Sequence, residues 1–441
     1  VTAPATLDDT RDEAAPRGDR PTAPARRARA SSSWSEDPMS LVPARRRALD
    51  PAVVLALLGV LSALPLVMRF YWPAGGGLDV TGHPIGRDFI NYWAGPQLAA
   101  SGRLATLFDL DAYHAAIGAL FGAPLAFHNW GYPPFTLLLL WPLAQLPYFA
   151  ALAVWTVGLF AVFAGVTLSR VAPGRRVRAL VLLALAPACL VNAVGGQNGF
   201  LTAALFLGGL LALDRRPVLA GILFGLLTGK PHLGLVLPLA LLALGAWRTI
   251  AAAAATALAL VGASLLAFGV EPWRHYLVET GAYQYGLLER FTGFYPLMMA
   301  SVLAGARTFG LGMDAAWLAQ AFVAVPVLAV SVWAVRRIRD PAQRAGMLAA
   351  AAPLLTPYAF NYDLTALAAV LVWRLAAAEP GAQPGRVTVF AWLAPTLMMP
   401  LQMVGFGGTP LMLVALFGLL VREAVGTAPA RQDAQALAAT G

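Results

Sequence analysis

From Pro51 onward this chain is a succession of apolar runs joined by short segments that carry arginine, glycine or proline. About 20 consecutive apolar residues cross the roughly 30 Å hydrocarbon core of a bilayer, and inside lipid only a helix or a closed barrel satisfies its own backbone. Charged residues are 12% of the 441, against about 25% in soluble domains, too few to cover a water-soluble protein of this size. The fold class is therefore all-α and polytopic, with the lipid bilayer as its solvent.

Several function classes fall away. One cysteine, Cys189, permits no internal disulfide, and neither cysteine pairs nor closely spaced histidines offer a zinc framework, so no metal and no cofactor is expected. The formal charge of +9 does not point to nucleic acid, because most basic residues beyond position 50 cluster between apolar runs, where they set orientation in the membrane.

Residues 1–50, with nine arginines against eight acids and no apolar periodicity, read as a disordered cytoplasmic tail in which Met39 is a candidate start. Residues 51–422 form the membrane domain, and 423–441 a second disordered cytoplasmic tail. The run 51–71 is an uncleaved anchor with its N-terminus inside. Further spans are expected near 148–169, 179–194, 199–213, 217–229, 232–247, 249–270, 316–335, 345–358, 364–379, 387–405 and 408–421, about twelve in all. Residues 132–147 are too short to cross and read as a re-entrant or interfacial helix. If they crossed, Arg170, Arg175, Arg176 and Arg178 would face outward, against the bias of basic loops. Both termini are then cytoplasmic. Two long outer loops follow from this order, 72–131 with short amphipathic helices at 89–100 and 112–121, and 271–315. The alanine- and arginine-rich usage is that of a high-GC bacterium, so the expected location is a bacterial cytoplasmic (inner) membrane.

Three tight polar turns fall on the outer side: Gly195-Gly196-Gln197-Asn198, Lys230-Pro231-His232 and Phe360-Asn361-Tyr362-Asp363. Irregular backbone at membrane depth persists only against protein or a water-filled cavity. The turns thus predict a cavity that opens outward beneath the loops.

Each candidate residue has a chemical and a structural reading. Asp88, in Gly86-Arg87-Asp88-Phe89-Ile90-Asn91-Tyr92-Trp93, can take a proton from a hydroxyl, or can cap a helix that starts at Phe89 with Arg87 as a surface partner. Asp109 and Asp111, with His114 nearby, offer oxygen ligands or a helix cap. Lys230 is the only lysine in the chain, and an ammonium at the centre of a membrane costs about 2.5–3.5 kcal/mol on insertion scales. It binds an anionic phosphate, snorkels, or joins an internal ion pair. The stretch Gly225 to Pro231 is no nucleotide P-loop, because proline stands where serine or threonine must hold magnesium. His232 adjoins Lys230 as a further ligand contact. His128 is either an interfacial histidine or a substrate contact, and His275, with Tyr276, Tyr283 and Tyr285, either anchors a loop or stacks on sugar. Gln197, Asn198, Asn361, Tyr362 and Asp363 suit a polyhydroxylated substrate, or satisfy their own turns. Gly221 and Gly225 form a small-xxx-small pair for helix packing.

The Asp88 segment, Tyr132-Pro133-Pro134, Gly196-Gln197-Asn198 and Lys230-Pro231 occur in an order that resembles glycosyltransferase family 87, the DUF2029 membrane proteins of GT-C type that include polyprenol-phosphate-mannose-dependent mannosyltransferases. The resemblance runs from about Leu55 to Asp363 and is strongest over 86–142. It implies an inverting transfer of a hexose, mannose foremost, from a polyprenyl-phosphate-linked sugar donor to a hydroxyl of a glycolipid or glycan acceptor at the outer face. Asp88 falls at the family's acidic residue in the first outer loop and is implied as general base. A functional residue of a later outer loop has no matching motif here, and His275 stands in its place. Beside Asp88, the expected site has Lys230 and His232 at the donor phosphate, and Arg87, Tyr92, His128, Tyr132, Gln197, Asn198, His275, Asn361 and Asp363 at the substrates. Two other classes compete. A secondary transporter of a polar or anionic small molecule would also show broken helices and intramembrane charges, though no duplicated half is visible. A non-catalytic scaffold would change complex formation, not glycan structure, on loss of Asp88.

Overall fold

The structure, a computed structural model, describes residues 49–125, 128–379 and 381–439, with side chains through residue 426. The expected disordered tail over 1–50 lies outside these residues, apart from its last two positions. Among the described residues the secondary structure is helical apart from one small hairpin, β1 (Pro73–Gly75) paired antiparallel with β2 (Leu78–Asp79), and two isolated bridges.

Helix α1 (Pro51–Tyr71) starts where the Asp50 carboxylate accepts from the Ala52 N–H at 3.0 Å, with proline at the first helical position, a strong start signal. The loop over residues 72–131 then holds α2 (Phe89–Ala100) and α3 (Leu110–Phe121). It is a packed layer, not an excursion over the surface. Phe89, Tyr113, Ile117, Trp130, Leu137 and Tyr148 form a buried core of their own. The Trp93 indole and the Gln97 amide of α2 donate to the carbonyls of Leu146 and Ala144 at 2.9 and 3.1 Å, tying the loop to α4 (Phe135–Ala144). At ten residues α4 is about 15 Å long, half a hydrocarbon core, in keeping with a re-entrant or interfacial helix. The expected amphipathic character of α2 is not what the structure shows, since Phe89 through Pro96 are all buried. Asp109 does cap α3, accepting from Ala112 N at 3.0 Å.

The membrane bundle follows: α5 (Tyr148–Leu168), α6 (Arg176–Ala184), α7 (Pro187–Val194), α8 (Gly199–Ala212), α9 (Pro217–Leu227), α10 (Leu237–Ala243) and α11 (Trp247–Phe268). Residues 271–290 form α12 in the loop over 271–315, and α13 (Val302–Thr308), α14 (Met313–Val335), α15 (Pro341–Leu355), α16 (Thr365–Ala377), α17 (Arg386–Met403) and α18 (Thr409–Ala439) complete the fold. Five helices are long and apolar enough to cross a membrane: α1, α5, α11, α14 and the stretch Thr409–Gly426 of α18. The pair Pro173–Ala184 and Pro187–Val194, bent by 54°, is apolar enough when taken together and brings the count to six if it forms one broken span and not a re-entrant loop. Where the sequence reading counts about twelve spans, the remaining positions carry helices shortened by polar turns or broken by proline. The last helix also runs to Ala439, where a disordered tail was expected from 423; the stretch 430–439, Ala-Arg-Gln-Asp-Ala-Gln-Ala-Leu-Ala-Ala, consists largely of good helix formers.

Small residues set the tightest contacts. A Cβ on Gly221 would lie 2.5 Å from the Thr249 carbonyl oxygen, and one on Gly225 would lie 2.5 Å from Thr256 Cβ, so the pair lets α9 lie directly on α11. Helix α15 is buried along nearly its whole length through Ala345, Gly346 and Ala349 to Ala352.

One end of this bundle carries the arginines. Arg178 pairs with Asp50 at 2.9 Å, Arg344 Nη2 reaches both Asp214 oxygens at 2.7 Å, Arg170 lies 3.4 Å from Asp340, and Arg374 pairs with Glu423. Helices α8, α9 and α16 each have one end here and the other at the polar turns around residues 198, 230 and 363. The turns therefore meet at the end of the bundle opposite the arginine clusters.

Candidate functional site

Asp88 owes its position to its two neighbours. Gly86 has φ +89° and Arg87 has φ +37°, a left-handed conformation that a side-chain-bearing residue keeps only when its surroundings over-determine it. Arg87 is so held. Its Nε donates to Asp79 Oδ2 at 3.0 Å, its Nη2 to Thr81 Oγ1 at 2.8 Å and to the Phe70 carbonyl, and the guanidinium lies over the rings of Tyr71 and Phe294 at 4.4 and 5.2 Å. Asp79 also accepts from Thr81 N and His83 N at 2.8 and 3.2 Å, which ties the loop into one block. Arg87 was expected as a surface partner; it is a buried anchor instead, because a guanidinium can leave water only when paired and stacked in this way.

The turn Gly195–Asn198 docks on this block. Gly196 has φ +56°, and a Cβ there would lie 2.3 Å from the Gly86 carbonyl oxygen. That backbone contact brings Gln197 Nε2 to 2.6 Å from Asp88 Oδ2. Asp88 makes no capping bond to α2, so its side chain is free for the site. Next in sequence, Asn198 Oδ1 accepts from Lys230 Nζ at 3.0 Å, and Lys230 forms an ion pair with Asp363, whose other oxygen accepts from Phe360 N at 3.0 Å. The ammonium also lies 4.6 Å above the Tyr362 ring. The three turns and the Asp88 loop, distant in sequence, thus form one polar chain, Asp88 to Gln197-Asn198 to Lys230 to Asp363.

Exposure separates the two ends. The Asp88 side chain keeps 36% of its surface accessible, against 8% for Lys230 and 0% for Asp363. Burial tends to raise the Asp88 carboxyl, but the His128 ring, the Gln197 amide and the Arg87 charge outweigh it and hold the group below the ordinary aspartate range. It is a carboxylate at neutral pH. Nearby, burial and then the Arg87 charge pull His83 down to about 4, so that ring adds no positive charge at neutral pH.

Of the other expected residues, Tyr92 and Tyr132 meet hydroxyl to hydroxyl at 2.7 Å. His128 Nδ1 lies 3.6 Å from Asp88 Oδ1. His232 Nε2 is buried without a hydrogen-bond partner among the described residues, its ring 6.4 Å from Tyr358. Asn361 is spent on its own turn, accepting from Tyr362 N at 2.9 Å and donating to Pro395 O at 3.4 Å. His275 sits elsewhere, in a surface cluster with Glu279 at 2.6 Å and Glu271 at 3.5 Å, and stacks on Phe108. Of the readings of Lys230, the internal ion pair is present, with Asp363.

Sequence reasoning missed Asp79, Trp155 and Asn192. Trp155, in a π turn of α5 at Val154–Gly158, donates to the carbonyls of Gly196 and Gln197 at 3.1 and 3.3 Å and packs on Tyr92. Asn192 Oδ1 accepts from Gly199 N at 2.6 Å and closes the same turn from below. A lone asparagine within the apolar run 179–194 was the one available signal, since a buried amide needs a partner.

A polytopic helical protein with a carboxylate and an ammonium gathered at the meeting point of broken helices defines a membrane protein with a polar site at one end of its bundle. The model of glycosyltransferase family 87 matches residues 130–357, and the chain belongs to that family. It is a membrane glycosyltransferase. The matched stretch includes Gln197, Asn198 and Lys230 but begins after Asp88. No curated protein and no solved structure matches the chain.

Proposed function

We propose that this protein transfers a hexose, with mannose the first candidate, from a polyprenyl-phosphate sugar to a hydroxyl of a glycolipid or glycan acceptor, with inversion. The reading rests on one observation: an accessible carboxylate at Asp88 joined through Gln197-Asn198 to the sole ammonium of the chain. Asp88 takes the proton of the acceptor hydroxyl as its oxygen attacks the anomeric carbon. The bond from that carbon to the phosphate oxygen breaks, and the phosphate leaves with the electron pair. Lys230 has three N–H bonds; Asn198 and Asp363 engage two, and the third serves the departing phosphate with His232 beside it. Single displacement inverts the anomeric centre. Such a donor already carries a good leaving group, so positioned base catalysis, worth about 10²–10⁴ in rate, and electrostatic stabilisation of the phosphate suffice without a nucleotide.

In the same proposal about twelve helical segments cross or enter a bacterial cytoplasmic membrane, with the arginine end cytoplasmic and Asp88 on the outer side. The test is incubation of purified protein in liposomes with a panel of polyprenyl-phosphate sugars and total membrane lipid, with products read by mass spectrometry. Transfer from lipid-phosphate donors that Asp88→Asn abolishes supports the proposal. Transfer from nucleotide sugars alone, or uptake of a solute without transfer, sinks it.

A further inference from the structure

That mechanism leaves one buried group unused. His128 is 3% exposed, and neither ring nitrogen has a hydrogen-bond partner among the described residues. Leaving a buried polar atom without a partner is costly, so an unpaired imidazole in an otherwise closely bonded site calls for a reason. Its surroundings hold it in place. His114 Nε2 bonds to the His128 carbonyl at 2.7 Å, and the His83 ring meets the His128 ring edge-on at 5.5 Å and 90°. Nδ1 then stands 3.6 Å from Asp88 Oδ1, just beyond hydrogen-bonding reach, while Gln197 occupies the other oxygen, Oδ2. The carboxylate is gripped on one side and nearly gripped on the other.

We propose that His128 is a positioning residue for Asp88: its Nδ1–H closes onto Asp88 Oδ1 when the acceptor enters and locks the carboxylate in the rotamer that faces the acceptor hydroxyl. Contraction to the roughly 2.8 Å of a charge-assisted bond needs less than an ångström of movement. Oδ1 keeps a second lone pair for the incoming proton. The proposal rests on Asp88 as the base, and catalytic hydrogen bonds that are long in the empty site commonly tighten in the complex.

Three variants separate positioning from packing. His128→Phe fills the ring volume and donates nothing, His128→Asn places an amide nitrogen near the Nδ1 position, and His128→Gln places one near Nε2. The expected result is a loss in kcat of about 10- to 100-fold for Phe and Gln, with donor KM near wild type and most of the loss recovered by Asn. A Phe variant with wild-type kcat, or an Asn variant no better than Phe, overturns the proposal; if Phe does not fold, the comparison of Asn with Gln decides. A second readout needs no turnover. Infrared difference spectra against Asp88→Asn isolate the protonation of the Asp88 carboxyl, which also faces Gln197, Arg87, His83, Tyr71 and Tyr132, all unchanged in these variants. That transition moves to higher pH in Phe and returns toward wild type in Asn. An unmoved transition overturns the role of His128 whether or not sugar is transferred. A moved transition in a protein that transfers no sugar overturns only the glycosyl-transfer reading.

Discussion

Gly196 and Gly86 touch backbone to backbone, with so little room that a Cβ on Gly196 would stand 2.3 Å from the Gly86 carbonyl oxygen and 2.8 Å from Phe89 Cβ. This contact joins the loop over 72–131 to the helix bundle and sets the distance from Asp88 to Gln197. Gly196→Ala is therefore expected to push the two turns apart and to lower kcat by about tenfold or more, since a misplacement of about 1 Å can cost on the order of 10²-fold. Steady-state transfer assays alongside thermal unfolding check it; a variant as active as wild type shows that the docking is irrelevant to catalysis.

Asp88→Asn keeps the size of the side chain and removes the base. Turnover is expected to fall by about 10²–10⁴-fold, while donor affinity, measured by binding of a labelled polyprenyl-phosphate sugar, stays near wild type. Equal losses in binding and turnover would assign Asp88 to donor recognition.

The pH profile follows from the direction of the Asp88 shift. Its folded value lies below the ordinary value of about 3.9, so the interactions of the carboxylate stabilise the fold above that pH, and this contribution is lost as pH falls through the folded value. For the same reason the base stays ionised at neutral pH. Gln197→Leu removes one of the lowering contacts, and the acid limb of kcat/KM is expected to move to higher pH. A limb that stays in place would mean that the Gln197 bond at 2.6 Å does not govern the titration.

Lys230 and Asp363 form a buried pair, and removal of one partner leaves the other charge uncompensated. Lys230→Met or Asp363→Leu alone is expected to destabilise the protein by about 3–5 kcal/mol, measured by unfolding in detergent. The double variant recovers much of that loss, because both charges are gone, but not donor affinity. A double variant that binds donor normally removes Lys230 from the phosphate site.

Orientation has its own test. In a Cys189→Ala background, Arg216→Cys lies among the arginine clusters and Thr292→Cys in the loop over 271–315, both at exposed positions. A membrane-impermeant thiol reagent applied to intact cells is expected to label Cys at 292 and to reach 216 only after permeabilisation. The opposite pattern inverts the topology and places Asp88 on the cytoplasmic side.

The chain's own order of residues determined that this is a helical membrane protein, where its polar turns interrupt the apolar runs, and that Gln197-Asn198 and Lys230 stand at those turns with Asp88 in the loop after the first span. Those properties are local: a run of apolar side chains needs lipid wherever it lies, and a lone lysine between two apolar half-helices must find a partner. Only the tertiary structure decided which partner. It gave Lys230 to Asp363, turned Arg87 inward to Asp79, sent His275 to a surface cluster, and set His128 beside Asp88. Pairing of this kind depends on which turns the packed helices carry to the same end of the bundle. It also depends on two glycines, Gly86 and Gly196, whose lack of a Cβ lets segments more than a hundred residues apart meet.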